Sequence, residues 1–318
     1  MIVDAHAHFF DTGYLPKAFH MTTAKKWAEA APGRKAEDMF PRIESGLADP
    51  GGKMFIENMD RAGVDATVFM MADFSISYGE EPPKSAKDQV EELSGLAKKY
   101  KGRWFNFGIS DVRRKGALDF VKWAIRDKGF KGFGEMSPEG FPADDEMLFP
   151  FYKLCVELGV PANVHTRAGT GTEVASQDAP RLQVAHPRHV SLVQQKFPEL
   201  VIIMAHAGYP IWWQDAVEVA RGHPNTYLEL SDWEHEIKDP ATFVGKLAKM
   251  RDAVGADHIM FATDHVTGNR FCGDKSFLPG YVKFFQTLPD EAPKYGQKFT
   301  KKEVDLILGG NAQRAIKL

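Results

Sequence analysis

The stretch Leu200-Val201-Ile202-Ile203-Met204-Ala205-His206 is apolar up to its last residue, and it decides how the whole chain is read. A strand with one wet face alternates polar and apolar residues. An unbroken apolar run therefore marks a strand covered on both faces, as in a parallel sheet wrapped by helices. Similar β-rich runs lie on either side of it. Ile2–Ala5, Ala66–Met71, Trp104–Ile109, Phe130–Glu135 and Pro161–His165 come before, and Thr226–Leu230 and Ile259–Asp264 come after. Between them apolar residues return at helical spacing, as in Leu118, Val121, Trp123 and Ile125, or Phe151, Leu154, Cys155 and Leu158, or Val190, Val193 and Phe197. Turn signals such as Gly159-Val160-Pro161 and Phe197-Pro198 end these stretches. Eight strand–helix units in succession predict an α/β fold of the closed (β/α)8 TIM-barrel type. An open doubly wound sheet is the alternative, but no glycine-rich phosphate loop follows the first run. No domain boundary or repeat interrupts residues 1–318, which read as one domain. The irregular part is residues 11–52, rich in Gly, Pro and Lys, which reads as a long loop insertion after strand one, either a lid or a surface excursion.

Composition excludes several classes of function. The chain is 43% apolar and 26% charged, ordinary for a globular protein, and its net charge of −3 offers no footprint for nucleic acid or an anionic membrane surface. The opening residues lack the basic and apolar regions of a secretory signal, and no window approaches the roughly 20 apolar residues of a membrane span. A cytoplasmic protein acting on a small molecule is the expectation. Two cysteines are too few for a disulfide framework or a thiolate metal site. Both read as reduced thiols, Cys155 in the core and Cys272 in a loop, where reactivity is the minor alternative.

The chemistry lies where polar residues interrupt these runs. Active-site groups of a parallel barrel stand at the C-terminal ends of its strands. Asp4-Ala5-His6-Ala7-His8 closes the first strand, and its alternation turns both imidazoles to one side. Glu135 ends the fourth strand, His165 the fifth, His206 the sixth and Asp264 the eighth. Neutral imidazoles with a carboxylate suit a divalent cation, with zinc leading and manganese or iron as alternatives. His20, His186, His189, His223, His235 and His258 lie off the strand ends and read as surface or helix-cap residues.

The constellation resembles the amidohydrolase superfamily, and within it the branch related to aminocarboxymuconate semialdehyde decarboxylase. The likeness runs nearly end to end. It rests on Val3-Asp4-Ala5-His6-Ala7-His8, Leu158-Gly159-Val160-Pro161-Ala162-Asn163-Val164-His165, Ala205-His206-Ala207-Gly208, Phe261-Ala262-Thr263-Asp264 and Gly310-Asn311-Ala312-Gln313-Arg314. It implies metal ligation by His6, His8, His165 and Asp264, with His206 binding a second ion or polarising water and substrate. It also implies a homodimer. Two features depart from the branch. His265-Val266 follows Asp264 where an aromatic residue and proline are usual, which makes His265 either an extra polar group at the metal or a solvated loop residue. Glu135 puts a carboxylate on strand four, where decarboxylases of the branch lack one and hydrolases elsewhere in the superfamily use one to bind or bridge a second metal.

The leading expectation is therefore a metal-dependent hydrolase, using one or two ions, that attacks an amide, ester or lactone-like bond. A divalent ion brings the pKa of bound water down to about 7, with Asp264 as general base and then acid. Non-oxidative decarboxylation of an aromatic or enol-type acid is the alternative, and a non-catalytic metal-binding subunit the third. For the substrate, Arg167 reads as a carboxylate clamp or a structural ion pair. Phe9, Phe10, Tyr209, Trp212, Trp213 and Trp233 read as an aromatic wall or as packing residues.

Overall fold

A computed structural model describes residues 1–29, 33–136, 141–168 and 183–318. Its strands are β1 (Val3–His8), β2 (Ala66–Met70), β3 (Trp104–Gly108), β4 (Gly132–Met136), β5 (Ala162–His165), β6 (Ile202–Ala205), β7 (Thr226–Glu229), β8 (Ile259–Met260) and β9 (His265–Val266). They form one parallel sheet in the order β8-β7-β6-β5-β4-β3-β2-β1-β9. The expected eighth strand thus appears as two short pieces, β8 on β7 and β9 on β1. The link between them carries the curl round, since Ala5 N–H donates to Phe261 O at 3.1 Å and Asp264 N–H to His6 O at 2.9 Å. The architecture is the TIM barrel.

Helices wrap the sheet, namely α3 (Lys53–Ala62), α5 (Ala86–Lys99), α6 (Ala117–Lys128), α7 (Phe149–Leu158), α8 (Arg188–Lys196), α9 (Trp213–Gly222), α10 (Pro240–Val254) and α12 (Phe277–Glu291). Local chemistry sets their ends. Ser85 caps α5 by accepting from Asp88 N–H, and Asp239 caps α10 with Pro240 at its first turn. Gly159 stops α7 at φ +63°, a left-handed conformation that glycine adopts without steric cost. Short helices α4 (Ser75–Tyr78), α11 (Asn269–Cys272), α13 (Lys301–Asp305) and α14 (Asn311–Ile316) complete the chain. The insertion is more ordered than its composition suggested, because it holds α1 (Lys17–Glu29) and α2 (Ala36–Leu47) packed on each other. No helix among the described residues is long and apolar enough to cross a membrane.

The core lies between sheet and helices. Trp104 stacks on Phe69 with ring centroids 3.7 Å apart, and Cys155 is fully buried within it. Cys272 is also buried, with its thiol pushed up to about 12 by burial and the nearby Asp49 charge, which disfavours the minor alternative of a reactive thiol. His20, expected at the surface, is buried between Phe19 and Phe40.

Asp4 ties the seam of the barrel. Its carboxylate is fully buried and accepts from Thr263 N–H at 3.0 Å, Thr263 Oγ–H at 2.7 Å and His6 N–H at 3.3 Å. Removing the carboxylate strands buried donors, each worth about 1–3 kcal/mol. Asp4→Ala is therefore expected to lower unfolding free energy by about 2 kcal/mol or more in denaturant titrations. A loss below about 0.5 kcal/mol, the size of an ordinary surface change, would show that Asp4 does not hold the seam.

Candidate metal centre

At the C-terminal ends of the strands, six side chains meet. His6 and His8 alternate along β1 with their Nε2 atoms 3.2 Å apart. Glu135 on β4 puts Oε2 at 3.5 Å from His6 Nε2 and 3.6 Å from His8 Nε2. Its other oxygen lies 2.6 Å from His165 Nδ1 on β5 and 3.3 Å from His206 Nε2, just past β6. Asp264 Oδ1 is 3.1 Å from His8 Nε2. The break in the eighth strand makes that reach possible, because Asp264 sits at φ +54°, outside strand geometry. Glu135 has a related local requirement. The preceding Gly134 is at φ +136°, and a Cβ there would lie 2.6 Å from Asn163 O on β5.

The tautomers show what this cluster fits. His8 Nδ1 lies 3.1 Å from Met70 O, and a carbonyl only accepts, so that nitrogen carries the hydrogen. His6 Nδ1 is set in the same way by Glu229 Oε2 at 3.0 Å. Both Nε2 atoms then present lone pairs to each other and to two carboxylates, an arrangement that only positive charge between them relieves. A divalent cation fits this donor set. Donor atoms lie within 4.8 Å of one another in the groups His6–His8–Glu135 and Glu135–His165–His206, which share Glu135, and in His206–Asp232–Asp264.

Burial and the neighbouring charges shift the proton affinity of these groups. Burial disfavours ionised rings, but the carboxylates of Glu135 and Glu229 outweigh it at His6 and raise that ring well above its usual range. Against the same burial, Asp264 and Glu135 raise His8, and Asp232 and Glu135 push His206 up to about 10. At His165 burial wins, and the pKa falls. Burial would raise Glu135, yet the charges of His165 and His6 hold it well below the carboxylate range.

His8, Glu135, His165, His206 and Asp264 form the floor of a cavity of about 290 Å³, with His6 buried behind them. Its walls include Phe10, Met71, Phe74, Met136 and Phe141, and α1 lines its mouth through Phe19, Thr22, Thr23 and Lys26. The aromatic wall is therefore not the expected one. Phe9 is buried against Tyr14 and Trp104, Trp233 is core, Tyr209 packs on Trp233, and Trp212 lies against His186. Among the described residues, Phe10 alone of that expected set lines the cavity. Arg167 lines it too, with its guanidinium 3.1 Å from Asp232 Oδ2. His265 is buried against Phe55 and Phe277, off the cavity wall, rather than solvated. Strand seven carries polar residues that sequence reading passed over: Glu229 behind His6, and Ser231 and Asp232 behind His206. The acids of Thr226-Tyr227-Leu228-Glu229 and Ser231-Asp232 are visible as residues, but nothing local marks them as partners of distant histidines.

Because the neighbouring carboxylates raise the proton affinity of His6, His8 and His206, a cation binding there competes with protons. Affinity for Mn²⁺ is expected to rise with pH from 6 towards about 10, where the His206 proton is lost without help. Calorimetry in buffers of different ionisation heat should detect proton release on binding. A pH-independent affinity with no proton release would show that these rings are not the ligands.

Comparison with known proteins follows this geometry. The family model described as Amidohydrolase matches residues 3–318. Compared with curated proteins, the chain matches none. Among solved structures, a TIM-barrel protein of Bordetella bronchiseptica is 21% identical with a TM-score of 0.65, covering 99% of this chain and 98% of that one. The 5-carboxyvanillate decarboxylase of Novosphingobium aromaticivorans, solved with manganese and 4-hydroxy-3-methoxy-5-nitrobenzoic acid, is 16% identical with a TM-score of 0.67, covering 100% and 96%. A dihydroxybenzoic acid decarboxylase from a Polaromonas species, with manganese and 2-nitroresorcinol, is 18% identical with a TM-score of 0.65, covering 100% and 97%. These identities carry the shared fold, while the sequence match across nearly the whole length carries the family, and the chain belongs to the amidohydrolase family.

Proposed function

We propose that this enzyme is a divalent-metal-dependent, non-oxidative decarboxylase of a small aromatic carboxylic acid. The observation that carries the reading is the cavity, a slot walled by Phe10, Phe74, Phe141, Met71 and Met136 with the buried donor cluster at its floor. Such a slot takes a flat ring with its acid group directed inward. The manganese decarboxylases that share the fold act on acids of this kind, which favours manganese over the zinc expected from donor chemistry. His6, His8, His165 and Asp264 would hold the ion, with Glu135 and His206 beside them. When bound, the cation supplies Lewis acidity towards the oxygens of the acid.

The chain's own residues account for the rest. The apolar walls exclude water and hold the ring. Arg167, already paired with Asp232, stands where it can meet a polar ring substituent. His206 lines the cavity floor and holds a proton firmly, because Asp232 and Glu135 outweigh its burial. Asp264, at 28% the most exposed of the six, faces the cavity with it. As the bond between ring carbon and carboxylate breaks, its electron pair stays on the ring carbon and takes up a proton delivered from this pair. Carbon dioxide and the ring bearing hydrogen in place of the carboxylate are the products, so charge and atoms balance with one proton consumed.

One observation favours a second reading. Glu135 belongs to two of the three donor groups and so could serve two ions, and two ions suit hydrolysis of an ester or lactone. Manganese-loaded protein should be incubated with 2,6-dihydroxybenzoate and 5-carboxyvanillate while carbon dioxide release and metal content are measured. Turnover is expected, and Asp264→Asn and His206→Asn should each reduce it by about 10²–10⁴-fold. No carbon dioxide from a panel of aromatic acids, with two ions per chain and cleavage of lactones or esters, would replace decarboxylation with hydrolysis.

A further inference from the structure

Both donor groups lead back to one carboxylate. Glu229, fully buried at the end of β7, accepts from His6 Nδ1 through Oε2 at 3.0 Å. The same oxygen accepts from the Ser231 hydroxyl at 3.2 Å, and its other oxygen accepts from Ser231 N–H at 2.6 Å. Ser231 Oγ in turn lies 2.7 Å from His206 Nδ1. The direction of each bond follows from which atoms can donate. A carboxylate only accepts, so the Ser231 hydroxyl spends its single hydrogen on Glu229 and offers its lone pair to His206. His206 Nδ1 must therefore carry a hydrogen, as His6 Nδ1 must. In their neutral form both rings then turn Nε2 lone pairs to the centre, His6 towards His8 and His206 towards Glu135 and His165.

We propose that Glu229 is the positioning residue for the whole centre, setting the tautomer of His6 directly and that of His206 through Ser231, so that the two donor groups are prepared together. The proposal rests on the metal-centre reading but not on which reaction follows. Partners behind metal-ligating histidines commonly orient them, and their loss typically costs about 10–100-fold in metal affinity. What this chain adds is a single anion serving rings from two groups. Asp232 Oδ2, 3.1 Å from His206 Nδ1, is the competing holder of that ring, although it is also drawn towards Arg167 at 3.1 Å.

The test uses nitrogen-15 histidine NMR on protein loaded with diamagnetic Zn²⁺, together with Mn²⁺ affinity by calorimetry. In the wild type, both His6 and His206 should show a protonated, hydrogen-bonded Nδ1. Glu229→Gln leaves one accepting oxygen in place of two, and is expected to disturb both signals and weaken Mn²⁺ binding about 10- to 100-fold. Ser231→Ala keeps the carboxylate and should disturb His206 while sparing His6. It also serves as the deciding variant should Glu229→Gln not fold. The proposal is overturned if Ser231→Ala leaves the His206 signal as in the wild type, which would make Asp232 the holder, or if folded Glu229→Gln binds Mn²⁺ within twofold of the wild type. Absent decarboxylation with these signals intact would refute the proposed reaction and leave this inference standing.

Discussion

Two imidazole nitrogens held 3.2 Å apart, with their hydrogens committed elsewhere, are the constraint from which the rest of this structure follows. Met70 O and Glu229 hold the far sides of the two rings, so the near sides face each other as bare lone pairs, with Glu135 and Asp264 adding negative charge. In a buried site such an arrangement is costly unless positive charge sits within it. Raised proton affinity at these rings answers it in part, and a divalent cation would answer it too. The raised pKa values of His6, His8 and His206 and the depressed value of Glu135 are two views of the same balance.

The barrel can meet this constraint because its frame is stiff and its departures from regularity are local. A regular eighth strand would run straight through position 264. The strand is instead divided into β8 and β9, and the left-handed backbone at Asp264 swings a carboxylate to His8. The seam there is held by Asp4 and Thr263 rather than by an uninterrupted ladder. On β4 the absence of a side chain at Gly134 lets the strand approach Asn163 closely enough for Glu135 to reach two groups. Each irregularity lies beside a donor, as expected where a fold gives up local regularity for a site.

The insertion after β1 supplies what the barrel does not. Its first helix lines the cavity mouth, and Phe19 stacks on Phe74 with centroids 5.4 Å apart, joining the insertion to the wall. The floor of donors thus comes from the barrel strands, and part of the enclosure from the insertion. Fold and family point to the chemistry of the floor, whereas the choice of substrate belongs to the walls.

The alternation of unbroken apolar runs with helical periodicity was enough to predict the barrel, because strands buried on both faces have no other composition to adopt. The strand-end positions of His6, His8, Glu135, His165, His206 and Asp264 were legible for a similar reason, since a polar group closing an apolar strand has few places to point. Contacts that depend on distant segments could not be read in this way. Phe9 alternates with His8 and so turns to the core, which exchanged the expected aromatic wall for one built from Phe10, Phe74 and Phe141. Glu229 and Ser231 look like ordinary polar residues until the fold brings the end of β7 against the rings of His6 and His206. Sequence alone determined which residues could serve as donors, since periodicity is a local property. Only the tertiary structure decided which atoms face one another, because hydrogen-bond direction depends on neighbours more than 200 residues apart, as with His6 and Glu229.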